Sequence, residues 1–331
     1  HRLFRCMMKK TDVNTLSPYV WMPDMLGDGY EMTYVAHPDD YSGPVRSTVI
    51  RKIAKPSNGL SIVYVHGFSD YFFQKEMADM FVGQGYSFYA VDLRKYGRSL
   101  MPGQHMFQVR DLHEYFADIN ACIEVALADG MASVVLLGHS TGGLTASLYM
   151  SESPSDKVRG LMLNSPFLDW NLPGWMKSFA IPAVSALGRL VPRLLVKQAP
   201  DDGYARSLLA DFDGEWTYRR DWKPDVLPEP DAGWVRAIHQ AQMQLRHRAI
   251  KVPVLLMHSA ESVRHGDPKE RYNCADAILD VSSISRYGRM LGPDVTEVSF
   301  AGGLHDLVLS RPAVRRQVYA TMLDWLKDRM I

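Results

Sequence analysis

Three short stretches of this 331-residue sequence carry residues whose types and spacing could cleave an ester or amide bond. Gly138-His139-Ser140-Thr141-Gly142 boxes a serine between glycines. A serine in that frame sits on a strained turn from a strand into a helix. The glycines let neighbouring backbone pass close by, and the helix N-terminus favours developing negative charge. In "VYVHGFSDY" (63–71) a strand ends at His66-Gly67 and the chain turns. A serine nucleophile needs two backbone N–H donors aimed at the tetrahedral oxyanion, one from the residue after it and one from a loop after an early strand; Thr141 and Phe68 hold those positions. "FAGGLHDLVLS" (300–310) places His305 in the loop after the last strand, where the base of a serine, acid, histidine order falls. His66, at the foot of a turn before glycine, is read as holding its loop by hydrogen bonding.

The acid of such a set must lie between the strand "VPVLLMHS" (252–259) and His305. On the residues alone Glu261, Asp267, Asp276 and Asp280 compete. No metal site is expected, because there is no H-E-x-x-H, and His258 with His265, or His239 with His247, would be isolated pairs. No cofactor is expected either.

The elements that must position these residues are legible as short apolar runs between helical patterns. Runs at 61–67, 86–93, 133–139, 158–166, 252–259 and 295–303 are continuous rather than alternating, as in a parallel sheet covered on both faces. Between them, Val109, Leu112, Phe116, Ile119, Ile123 and Leu127 advance by three or four along a helix over 108–129 that stops at Gly130. A second helix over 312–329 opens at Pro312 and carries Val314, Val318 and Met322 on one stripe. The runs 30–35 and 45–53, joined by a polar turn with Pro38, Asp39, Asp40, Gly43 and Pro44, predict an antiparallel pair at the sheet edge. The fold class is therefore α/β: a mostly parallel, doubly wound sheet with an antiparallel N-terminal hairpin. From 166 to 249 the rhythm breaks into prolines and five of the seven tryptophans. The expected organisation is a core of 1–165 and 250–331 with a helical cap insertion at 166–249. In the cap, some of the tryptophans and of the apolar run 175–196 are expected to line a pocket for an apolar acyl or aryl group, with Trp175 and Trp216 as the two that test lining against packing.

Composition narrows the partners. With 47% hydrophobic and 22% charged residues the chain can bury a sizeable core. Lysine plus arginine equal aspartate plus glutamate at 37 each, and no basic stripe appears, which argues against nucleic acid and anionic lipid. No run reaches the roughly 18 apolar residues of a membrane span, so no stable membrane insertion is expected. Cys6, Cys122 and Cys274 are far apart and odd in number, which fits a reducing, cytoplasmic setting better than a disulfide framework. The opening "HRLFRCMMKK" has no initiator methionine and no apolar leader core, so a leader or tag is read as already removed. The expected partner is a small ester; the oligomeric state is left open.

Taken in order, "HGFSDY", "GYSFYAVDLRKYGRS", "GHSTGG" and "GGLHDL" resemble the α/β-hydrolase superfamily, in the branch of monoacylglycerol lipases, lysophospholipases and serine aminopeptidases. The resemblance runs from about residue 60 to the C-terminus, apart from the insertion. It implies an esterase that works through a Ser–His–Asp triad and an acyl-enzyme, with a cap over the acyl pocket: Ser140 as nucleophile, His305 as base. Two departures stand out. The family's Arg-Gly-His-Gly-x-Ser is here Arg94-Lys95-Tyr96-Gly97-Arg98-Ser99. The family's acid position, counted from its strand, falls near Ser262, which cannot serve, whereas the run that carries the acid reappears as "ADAILDV" (275–281). An inserted excursion over 260–274 reconciles the two, with Asp276 as the acid and Asp280 capping the next helix. Two alternatives remain. One is an aminopeptidase-like amidase that uses cap carboxylates such as Asp201, Asp202, Glu215 or Glu229. The other is a non-catalytic ligand-binding protein of the same fold. Dehalogenases and epoxide hydrolases of this fold carry aspartate at the nucleophile position, which Ser140 argues against.

Overall fold

The computed structural model describes residues 17–152 and 155–331; Cys6 and the opening segment lie outside them. Among the described residues nine strands form one sheet in the order β1-β2-β3-β5-β4-β6-β7-β8-β9. They are β1 (Met22–Pro23), β2 (Glu31–Asp40), β3 (Gly43–Lys52), β4 (Leu60–Val65), β5 (Ser87–Asp92), β6 (Ser133–His139), β7 (Val158–Asn164), β8 (Val254–Ser259) and β9 (Val295–Phe300). From β5 to β9 every pairing is parallel, and β1, β2 and β3 are antiparallel to their neighbours. This is the α/β fold read from the sequence.

The continuous apolar strands are explained by burial on both faces. In β4, Val63 and Val65 enter one core while Ile62 and Tyr64 enter the other; in β6, Val134 and Leu136 oppose Val135 and Leu137. Each such side chain contributes roughly 1.5–3 kcal/mol on full burial. The first core is closed by α2 (Phe116–Ala128) and α3 (Thr141–Ser151), the second by α1 (Lys75–Gly83) and α8 (Pro312–Met330), which buries Val318, Met322 and Trp325.

Two boundaries differ from expectation. The helix expected from residue 108 begins later, as a 3-10 turn at Leu112–Tyr115 running into α2. Asp111 accepts the His113 N–H there, and Glu114 completes a capping box. The hairpin turn is only Tyr41 and Ser42; Pro38, Asp39 and Asp40 belong to β2, which has a register irregularity between His37 and Asp40. Pro38 is tolerated where the ladder is already broken. Asp40 also faces the first departure from the resembled pattern. Fully buried Lys95 reaches its carboxylate at 2.6 Å, while the Tyr96 ring packs 4.8 Å from that of His66.

Strand order reverses at β4, with β5 on one side and β6 on the other. Such a switch point opens a crevice at the carboxyl ends of the strands. Between β7 and β8 the chain builds α4 (Ile181–Leu190), α5 (Gly203–Leu208) and α6 (Ala232–Leu245). Helix α4 crosses the start of α6 closely: a Cβ on Gly188 would lie 2.2 Å from the Ala232 carbonyl oxygen. After β8 comes α7 (Val281–Gly288), capped by Asp280, which accepts the Ser282 N–H at 3.0 Å.

Candidate active site

Ser140 occupies the turn between β6 and α3 with φ 54° and ψ −119°. A non-glycine residue held there costs on the order of 1–3 kcal/mol and persists only where the surroundings over-determine it. They do so through contacts that forbid side chains. A Cβ on Gly142 would lie 2.2 Å from the His66 carbonyl oxygen, and one on Gly138 2.7 Å from the Gly143 Cα. The Ser140 N–H donates to Asn164 O at 3.1 Å, and its carbonyl accepts from Leu144 and Phe167.

Ser140, His305 and Asp276 meet. His305 Nε2 lies 3.0 Å from Ser140 Oγ, and His305 Nδ1 lies 3.0 Å from Asp276 Oδ2. An ionised carboxylate only accepts, so Nδ1 carries the proton and bare Nε2 faces the hydroxyl. Asp276 is fully buried, and its other oxygen accepts the Ile278 and Leu279 N–H groups at 2.8 Å each. The other three carboxylates are engaged elsewhere: Glu261 and Asp267 face Arg271, and Asp280 caps α7. The excursion closes on itself. Ser262 and Asp276 form a parallel bridge, Val263 N–H donates to Asp276 O at 2.7 Å, and Asp276 N–H donates to Glu261 O at 2.9 Å.

Thr141 opens α3, so its N–H has no partner within the helix. Among the described residues the Phe68 N–H donates to no protein acceptor. His66 accepts the Leu93 N–H on Nε2 at 3.0 Å, so its Nδ1–H donates to Gly67 O at 2.8 Å. It holds the Phe68 loop, as its position before glycine suggested.

Several residues escaped sequence reasoning. Asp306 is buried beside His305, its carboxylate accepting from Gln74 Nε2 at 3.0 Å and Asn164 Nδ2 at 2.8 Å. Its amide donates to the Tyr204 hydroxyl at 2.9 Å. The one available signal was a charge inside the otherwise apolar "LHDLVL" (304–309). His139, Asp70 and Asp306 also converge, with one ligand-type atom of each within 4.8 Å of the others. The types suit a metal, but both carboxylates already have partners, Asp306 two amides and Asp70 the Lys223 Nζ at 3.1 Å, while His139 Nδ1–H donates to Asn164 O at 3.0 Å. Burial holds the His139 pKa below its ordinary value.

A cavity of about 480 Å³ opens onto Ser140 and His305, walled by Phe167, Trp170, Ile181, Val184, Trp234 and Leu279 among others. The two tryptophans singled out in the sequence are not in that wall. Trp175 is 65% exposed, and Trp216 packs on the core while its Nε1–H donates to Leu309 O at 2.9 Å. Helix α4 presents Ile181 and Val184 inward and leaves Leu187 and Leu190 in solvent, a phase that counting apolar residues could not fix. Of Asp201, Asp202, Glu215 and Glu229 only Asp201 reaches the cavity; Asp202 and Glu215 face Arg206 and Arg315. No helix among the described residues is long and apolar enough to cross a membrane.

Comparison with known proteins gives a consistent result. A family profile described as "Serine aminopeptidase, S33" matches residues 57–309. Phospholipase YtpA of Bacillus subtilis (strain 168) is 32% identical over 108 residues, 32% of this chain and 40% of that protein, so the chain spans less than half the length of this curated relative. Among solved structures, a monoacylglycerol lipase of Paleococcus ferrophilus superposes with TM-score 0.64 at 22% identity, covering 85% of this chain and 99% of that one. A soluble variant of monoglyceride lipase from Saccharomyces cerevisiae, in complex with a substrate analog, gives 0.63 at 18%, covering 97% and 99%. A thermostable carboxyl esterase from Bacillus coagulans, in complex with glycerol, gives 0.64 at 13%, covering 91% and 99%. At these identities the structural likeness is one of fold.

Proposed function

The chain belongs to the serine aminopeptidase S33 family of lipase- and esterase-type α/β hydrolases, and from that premise we propose that it is a serine esterase acting on small carboxylic esters with an apolar acyl or aryl group. The observation that carries the reading is the pair of 3.0 Å contacts made by His305, one to Ser140 Oγ and one to Asp276. Ser140 Oγ attacks the ester carbonyl while His305 Nε2 takes its proton. The oxyanion forms against the N–H groups of Phe68 and Thr141, at the positive end of α3. The imidazolium then gives the proton to the departing alcohol oxygen, leaving an acyl-enzyme, and water activated by the same nitrogen releases the acid. Asp276 keeps the imidazole in the productive tautomer and stabilises its charged form.

The segment 166–249 is read as a cap whose α4 and α6 enclose the acyl group. Its aromatic and aliphatic wall suits the acyl chain of a monoacylglycerol or a lysophospholipid, and similar proteins include a monoacylglycerol lipase and a phospholipase. Net charge of zero gives no reason to add nucleic acid as a partner. A second reading rests on Asp201, a cavity-wall carboxylate able to receive a substrate ammonium, and would make the enzyme an amidase. Labelling with a fluorophosphonate, followed by peptide mapping, tests the proposal. A tag on Ser140 together with turnover of p-nitrophenyl esters in preference to aminoacyl anilides supports esterase. Preference for the anilides transfers the role to the amidase, and no tag at all leaves a binding protein.

A further inference from the structure

The excursion that displaces Asp276 from its strand packs against α5. Its 3-10 turn, Lys269–Asn273, puts the Tyr272 ring where Gly203 has no side chain: a Cβ on Gly203 would lie 2.5 Å from Tyr272 Cε1. The turn is fastened from the core side as well, since Arg311 Nη2 donates to Asn273 Oδ1 at 3.1 Å and to Asp213 O at 2.7 Å. Braced in this way, α5 delivers Tyr204 to the site. The Tyr204 hydroxyl oxygen accepts the Asp306 N–H at 2.9 Å, and its ring meets His305 edge-on, centroids 5.8 Å apart at 75°. The Asp306 side chain is meanwhile tied to Gln74 and Asn164 of the core. Asp306, next to His305, is thus held from two directions, its carboxylate by core amides and its backbone N–H by a phenol from the segment between β7 and β8.

We infer that Tyr204 is a positioning residue for His305, and that the excursion holds it in place. The inference rests on the esterase reading above. Tyr204 is not placed on a reacting atom. It supplies the acceptor for a buried backbone N–H that would otherwise be unpaired, and so fixes the height of the loop that carries the base. Misplacement of a base by about 1 Å can cost on the order of 10² in rate. Burial, together with the Asp306, Asp276 and Asp70 carboxylates, raises the phenol pKa well above its ordinary value, so Tyr204 stays a neutral acceptor wherever His305 works.

Tyr204→Phe removes the acceptor and keeps the ring. The second-order rate of fluorophosphonate labelling and the kcat on p-nitrophenyl butyrate should both fall by about tenfold or more, while KM changes by less than about twofold and the pH–rate profile keeps its shape. Tyr272→Ala, which loosens α5 from outside the cavity and also releases the 3.4 Å contact of the Tyr272 hydroxyl to Asp201, should lower kcat in the same way but by less. Tyr204 also lines the cavity beside His305, so labelling and kcat at wild-type rates in both variants overturn the inference, as does a rise in KM with kcat unchanged, which would leave Tyr204 a wall of the pocket and nothing more. A wild-type protein that takes no label overturns the esterase reading itself, and this inference with it.

Discussion

Ser262 and Asp276 lie side by side in an isolated parallel bridge. The chain therefore leaves β8 at Ser259, passes Ser262 and comes back beside it at Asp276, with the intervening loop pinched off between them. A carboxylate placed after the loop arrives where one directly after the strand would have stood. Ser262 meanwhile uses its hydroxyl to donate to Leu279 O and to accept the Val281 N–H, each at 2.9 Å, which locks the returning segment in place.

That geometry sets a ranking among three aspartates. Asp276→Asn should lower kcat by roughly 10³–10⁴ with folding retained, because the amide can present the wrong group to His305 Nδ1. Asp267→Asn and Asp280→Asn should stay within a few-fold of wild type, the latter with a small loss of helix-cap stability of about 1 kcal/mol. Steady-state kinetics on one soluble ester, measured side by side, checks the order; a larger loss at Asp267 or Asp280 moves the role.

The cavity wall predicts which tryptophans sort substrates. Trp170→Ala and Trp234→Ala should change the ranking of p-nitrophenyl esters by acyl length, since both rings face the space beside Ser140. Trp175→Ala should leave the ranking untouched, because that ring stands 65% exposed outside the wall. Trp216→Ala should lower Tm through lost packing and a lost hydrogen bond, on the order of 1–3 kcal/mol, without re-ordering substrates.

How far the sequence could carry this assignment follows from what each motif encodes. Strand runs and the Gly138–Gly142 frame are local, so burial on both faces and the tight turn at Ser140 were readable directly. The approach of Gly142 to His66 O is likewise implied once glycines flank a serine at a strand end. The hairpin was misread because Pro38 and Asp39 look like turn residues, whereas the broken ladder at His37 lets them stay in β2. Which cap tryptophans face the cavity was not readable, and Trp175 and Trp216 turn away from it. Both lie in the irregular segment between β7 and β8, whose facing is set by packing against α6 and the core rather than by any period of its own. Tyr204 and Asp306 were out of reach for the same reason, since their partnership joins residues 102 apart.

Buried His139 gives the protein an acid-sensitive element. Burial lowers its folded pKa below the ordinary 6.5, with neighbouring His305 lowering it further and Asp306 and Asp70 opposing. As pH falls through about 6.5, the unfolded chain takes up a proton that the folded one refuses, so stability is present above that pH and is lost below it. His139→Gln keeps a donor for Asn164 O and removes the titration. The difference in unfolding free energy between the two proteins should shift in favour of the variant between pH 7.5 and 5.5, by up to about 1.4 kcal/mol per pH unit. Denaturant unfolding at several pH values measures it; a difference independent of pH removes His139 as the cause.

The central claim is that Ser140 is an activated nucleophile, and its most direct measurement is the kcat of Ser140→Ala on a soluble p-nitrophenyl ester beside that of the wild-type protein. A Ser–His–Asp site predicts a fall on the order of 10⁶ with the fold and Tm essentially retained. Turnover by the alanine variant near the wild-type value would contradict it.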